Sequence, residues 1–303
     1  MVNYLRMNTL FRKKEGFNPA ESGLAFTIAV LLPYLVLLVV TLVFRAAGGD
    51  TASALYIYLS SFSSQLSYLA VLLFLAKQKG GIKPFCAGKF SPIFLPVALM
   101  LSYGMLFGLG YLNELFIGLL ADAGLSYNPV SVPLDGAGQL ALSLIAVGVL
   151  PAFCEELLFR GAILRGTDYM KTWQVALVNG LAFSLFHQNP AQTVYPLITG
   201  AVFALVALRS GSAWPCVLMH AVNNVVILLI GCFAPEAALY NAATISTALV
   251  CFALAAAYLI FFAKTPARGG ENEAVPIAGK YFFCFAAPGA VMCAFSWIVA
   301  LVG

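Results

Sequence analysis

Charge is scarce in this chain. Only 9% of its 303 residues are Asp, Glu, Lys or Arg, and histidine occurs twice, at His187 and His220. Several familiar patterns are missing as well. No alternating segments of about 10 residues appear, which excludes a transmembrane β-barrel. The seven cysteines are scattered, mostly in apolar stretches, with no CxxC spacing, so neither a disulfide framework nor a cysteine zinc site is indicated. HExxH is absent, so no single helix carries a two-histidine zinc motif. GxSxG is absent, and Ser184, the serine nearest His187, points away from that histidine's face, so a serine nucleophile has no support. Cys154 has no neighbour in sequence that would stabilise a thiolate. No internal repeat is evident, which weighs against the repeat-built transporter folds.

What is present is hydrocarbon. The chain is 62% hydrophobic, with a mean hydropathy of +0.94. Several runs approach or exceed the roughly 20 apolar residues that span a bilayer as a helix. The expected architecture is an all-α, polytopic transmembrane bundle of eight or nine spans, forming a single domain over residues 1–303. Nine candidate spans are 24–44, 55–76, 92–113, 138–159, 173–187, 193–208, 214–232, 241–263 and 281–302. The first apolar run is too long for a signal-peptide core of about 7–15 residues and reads as a retained span. With the amino terminus in the cytoplasm, 15 of the 16 Lys and Arg residues fall on the inside and only Arg45 falls outside, a strong positive-inside pattern. The expected location is the plasma (cytoplasmic) membrane. The fifth and sixth spans are short, so the turn after His187 is expected below the outer surface, where irregular backbone needs protein or a water-filled cavity around it.

Ionisable groups inside such spans are functional candidates by default. Three segments carry them. In Glu155-Glu156-Leu157-Leu158-Phe159-Arg160, positions i and i+4 share a helix face while neighbours diverge by about 100°. Glu156 therefore pairs with Arg160, and Glu155 points elsewhere, free to accept a proton. The alternative is an ion pair that merely ends the span, with Arg160 reaching the headgroups. In the second segment, Asn179, Phe183 and His187 form one stripe. In the third, His220 and Asn224 share a face, which could also be plain helix–helix glue; Asn223 points off it. Together these groups can activate water and stabilise an oxyanion. Glu155, His187 and His220 could instead ligate a divalent metal such as zinc.

Glu155-Glu156-x-x-x-Arg160, Phe183-x-x-x-His187 and His220-x-x-x-Asn224, in this order and on separate helices, resemble the motifs of the CAAX protease and bacteriocin-processing (Abi) family of intramembrane proteases. The resemblance covers about residues 138–230. It implies peptide-bond hydrolysis within the membrane by an intramembrane peptidase. By position, Glu155 would activate water with His187, His220 and Asn224 would hold the oxyanion, and Glu156, Arg160 and Phe183 would support them. It leaves open whether a divalent metal or no metal is used. The expected partners are a small or membrane-associated peptide substrate and the lipid bilayer, with no nucleic acid. A non-catalytic scaffold or immunity protein of the same fold, or a proton-coupled transporter, are the rival readings. One difficulty is depth: if the fourth helix stops at 160, His187 lies far deeper than Glu155. Extension of that helix through Leu164, ending near Gly166, would remove it.

Overall fold

The computed structural model describes residues 17–81, 88–125, 131–233, 241–264 and 275–302. Several cations used above for orientation, namely Arg6, Arg12, Lys13, Lys14, Lys83 and Arg268, lie outside the described residues, as do Cys86 and Glu236.

Among the described residues there are helices and no strands. We number them α1 (Pro19–Ala46), α2 (Ala54–Lys79), α3 (Phe94–Asp122), α4 (Gly136–Gly166), α5 (Thr172–His187), α6 (Val194–Ser210), α7 (Trp214–Phe233), α8 (Ala242–Phe262) and α9 (Val275–Val302). Eight helical stretches in the described residues are long and apolar enough to cross a membrane. The protein is a polytopic, integral-membrane helical bundle. Its exposed large side chains are apolar, such as Leu35, Leu38, Val39, Leu42 and Val43 along α1 and Phe261 and Phe262 at the end of α8, as a lipid-facing surface requires.

Two expected boundaries change. The sixth span is not short, because a 3₁₀ turn at Pro190–Gln192 precedes α6 and the stretch Pro190–Ser210 has 21 residues. The fifth remains short, at 16 residues. The fourth does not stop at 159. It continues through a π-helical segment, Leu157–Ile163, and a 3₁₀ turn, Leu164–Gly166. Arg160 therefore lies within the helix rather than at its end, and its side chain is 0% exposed. The depth difficulty shrinks accordingly. At ~1.5 Å per residue, Glu155 stands about 16 Å from the Gly166 end of α4 and His187 about 22 Å from the start of α5.

Small residues allow the helices to approach closely. A Cβ on Gly23 of α1 would meet the Phe282 carbonyl oxygen of α9 at 2.3 Å, and one on Gly289 of α9 would meet the Thr27 Cα at 2.8 Å. In the α5–α6 hairpin, a Cβ on Gly180 would meet the Leu197 carbonyl oxygen at 2.6 Å and one on Gly200 would meet the Phe183 Cβ at 2.7 Å. Close approach through glycine is the main route to tight packing where lipid supplies no hydrophobic driving force between helices. Polar side chains then fasten α4 to its neighbours. Ser22 Oγ donates to the Ala162 carbonyl (2.7 Å), within the π segment, whose altered pairing leaves such carbonyls available. Asn179 Nδ2 donates to Thr167 Oγ1 (2.9 Å), tying α5 to the connector after α4.

Candidate active site

The site is built around the π segment of α4. Glu155 and Glu156 close the α-helical part before it, and Arg160 lies inside it. π segments are uncommon and recur at functional sites.

Glu156 is enclosed. Its Oε2 pairs with Arg160 Nε at 2.9 Å, the expected i, i+4 pair. Its Oε1 lies 3.0 Å from His220 Nδ1, a contact across helices that the sequence did not suggest. Both acid and guanidinium are fully buried. The cation is balanced by the carboxylate and by three aromatic faces. The guanidinium carbon is 5.1 Å from the Phe183 ring centre, 5.5 Å from Phe203 and 5.6 Å from Phe159. Among the described residues the terminal guanidinium nitrogens have no oxygen acceptor, so these rings stand where such acceptors would otherwise be. The reading of Arg160 as a span-ending residue that reaches the headgroups is thereby excluded.

Phe183 is the hinge of the arrangement. Its ring meets His187 edge-on at 4.8 Å and His220 edge-on at 5.8 Å, besides covering Arg160. The Asn179–Phe183–His187 stripe thus divides. Asn179 holds the connector, Phe183 joins two imidazoles, and only His187 is left to face outward. His187 Nδ1 is 2.8 Å from the Phe183 carbonyl of its own helix. A carbonyl only accepts, so Nδ1 carries the proton and Nε2 faces away from the helix. Ser184 indeed points elsewhere, donating to the Thr193 carbonyl (2.7 Å).

Glu155 contrasts with its neighbour. It is half-buried and accepts no hydrogen bond and forms no ion pair with the described residues. It lies within electrostatic range of His187, while Phe183 meets both imidazoles and Glu156 reaches His220. Cys154 is buried and carries no support for a thiolate nucleophile.

On α7, His220 and Asn224 share a face. Asn224 Nδ2 donates to the Val147 carbonyl (3.1 Å) in a second π segment of α4, Leu144–Val149. Asn223, set aside on helical phase alone, is buried and polar-bonded: Tyr195 Oη donates to its Oδ1, and its Nδ2 donates to Asn224 Oδ1 (3.4 Å). Sequence reasoning missed Asn223, Tyr195, Phe203 and Val147. Only the Asn-Asn doublet could have flagged any of them.

Both imidazoles commit Nδ1 to an acceptor and leave Nε2 outward, the orientation seen in metal-ligating histidines. Yet among the described residues no three of His, Cys, Asp and Glu stand close enough to share an ion. The set Glu155, His187 and His220 does not fit a metal in this arrangement.

Comparison with known proteins adds one finding. Residues 137–226 match the family model described as type II CAAX prenyl endopeptidase Rce1-like. This stretch contains all three motifs, and it is consistent with the CAAX protease family that the motifs resemble. No curated protein and no solved structure matches the chain.

Proposed function

We propose that this protein is an intramembrane endopeptidase that hydrolyses a peptide bond in a small or membrane-associated peptide, using water activated by Glu155 with His187. The observation that carries the reading is the contrast between adjacent acids. Glu156 is buried between Arg160 and His220, while Glu155, the residue before it, is half-buried, forms no ion pair with the described residues and lies within electrostatic range of His187. A free carboxylate beside an imidazole, sheltered from bulk water, is what a general base requires.

The steps follow from these positions. Glu155 takes a proton from water as the water oxygen bonds to the scissile carbonyl carbon. His187 Nε2 holds that water in line. The carbonyl π electrons move to oxygen, and the oxyanion accepts hydrogen bonds from the Asn224 carboxamide N–H and from Nε2–H of His220 as an imidazolium, whose Nδ1–H meets the Glu156 carboxylate. Collapse breaks the C–N bond, and the proton held by Glu155 passes to the leaving amine. Glu156 and Arg160 take no part in bond changes; they hold α4, Phe183 and His220 in register. Preorganised donors at the oxyanion contribute about 10²–10³ in rate.

The test uses purified protein in lipid nanodiscs with a farnesylated CAAX peptide, the substrate type that the matched family's description suggests. Mass spectrometry should show an endoproteolytic product that Glu155→Gln and His187→Ala abolish in folded protein. A transporter or scaffold of this fold would leave the peptide intact in every case. A product unaffected by Glu155→Gln would refute the assignment of the base.

A further inference from the structure

Asn224 sits at one end of a hydrogen-bonded chain that crosses three helices. Tyr195, in the first turn of α6, donates its hydroxyl to Asn223 Oδ1. Asn223 Nδ2 donates to Asn224 Oδ1 (3.4 Å), and Asn224 Nδ2 donates to the Val147 carbonyl (3.1 Å). The direction of this chain is fixed at its far end. A backbone carbonyl only accepts, so the Asn224 atom facing Val147 is nitrogen. The Asn224 oxygen then faces Asn223 and needs a donor there, so Asn223 presents nitrogen. The Asn223 oxygen in turn faces Tyr195, which donates. A flip of either amide would set donor against donor or acceptor against acceptor. One N–H of Asn224 remains without an acceptor among the described residues.

The other end of the chain is anchored as well. The Tyr195 backbone N–H donates to Asn113 Oδ1 (3.2 Å), and Asn113 Nδ2 donates to the Ala191 carbonyl (2.8 Å). This joins the first turn of α6 to α3 and to the turn that follows His187. That turn is held from a further side by Tyr34, whose hydroxyl donates to Gln188 Oε1, and by Trp297, whose Nε1 donates to Thr193 Oγ1 (2.8 Å). Gln188 adopts φ 53°, a left-handed conformation that a non-glycine residue keeps only when its surroundings hold it.

We propose that Tyr195 and Asn223 are positioning residues for Asn224: they orient its carboxamide so that the unclaimed N–H is aimed as a donor at the oxyanion. This rests on the peptidase reading above. Neither residue touches substrate. Each acts through Asn224, and Tyr195 also links that donor to the turn carrying His187.

The experiment compares Tyr195→Phe, Asn223→Asp and Asn224→Ala, singly and with Tyr195→Phe combined with Asn224→Ala, on the farnesylated CAAX peptide. Tyr195→Phe should lower kcat about tenfold (~1.4 kcal/mol) with KM unchanged, because the lost orientation matters in the transition state. Asn223→Asp should do the same, since a carboxylate accepts from Tyr195 but cannot donate to Asn224. On the Asn224→Ala background, Tyr195→Phe should cost nothing further. A tenfold loss that persists on that background, or a change in KM alone, overturns the proposal. A second readout is independent of cleavage: with ¹⁵N-asparagine labelling, the side-chain NH₂ pair that disappears in Asn224→Ala should exchange slowly in the wild type and quickly in Tyr195→Phe. A pair indifferent to Tyr195→Phe overturns the proposal whatever the activity. If that pair responds as expected while the wild type cleaves nothing, the peptidase reading fails and the positioning of Asn224 stands.

Discussion

One face of α4 is closed and the other is open, although they begin at adjacent residues. On the closed face Glu156, Arg160 and His220 form a dry cluster under Phe159, Phe183 and Phe203. Its charges are paired and inaccessible. On the open face Glu155 has no hydrogen-bonding partner among the described residues and is half-buried, within electrostatic range of His187. The same chemical group therefore has two roles set by surroundings alone. On the proposed reading, the acid enclosed with Arg160 and His220 fixes geometry, and the acid left unpaired is the one available for proton transfer. The proposed mechanism uses both, with the closed face holding α4, α5 and α7 together beside the open one.

Substitutions should separate the two faces. The largest effect on rate is expected from Glu155→Gln, with peptide cleavage falling about 10³-fold, within the range of general-base catalysis, while the thermal midpoint in detergent stays at the wild-type value. Preserved cleavage would remove the distinction. Arg160→Ala should act on the closed face instead. It leaves the buried Glu156 carboxylate with His220 alone and without its guanidinium, at a cost of about 3–5 kcal/mol, and fluorescence-detected size exclusion should show an aggregated or early-melting protein. A monodisperse, stable and inactive Arg160→Ala would mean that Arg160 meets substrate. Asn224→Ala is expected to lower kcat about 10²-fold through loss of an oxyanion donor, with folding retained. The smallest effect belongs to Gly200→Ala. The added methyl meets the Phe183 Cβ at 2.7 Å, and overpacking of this kind costs about 1–3 kcal/mol. Because Phe183 touches both imidazoles, activity should fall more steeply than the melting temperature. Equal activity would show that Phe183 tolerates displacement.

What could be read from the sequence was what a single helix encodes. The Glu156–Arg160 pair follows from i, i+4 spacing and is present at 2.9 Å. The divergence of Glu155 follows from the same geometry. The spans follow from hydropathy, and the possible extension of α4 to Gly166 follows from the glycines. What could not be read lies between helices. The Glu156–His220 contact joins residues 64 apart, and no periodicity reports such a pairing. The ring of Phe159, Phe183 and Phe203 around Arg160 draws on three helices and looks in sequence like ordinary apolar filling. Asn223 was set aside because helical phase turns it from the His220 face, yet that turn is what brings it to Tyr195. Helical phase says which residues share a face and nothing about what the next helix offers there.

The most direct measurement compares Glu155→Gln with Glu156→Gln in one preparation, recording peptide cleavage and thermal midpoint together. The account predicts that Glu155→Gln melts like the wild type and does not cleave, whereas Glu156→Gln melts several degrees lower because Arg160 and His220 lose their carboxylate. The opposite pattern, a destabilised Glu155→Gln or a stable Glu156→Gln that alone loses catalysis, would contradict it.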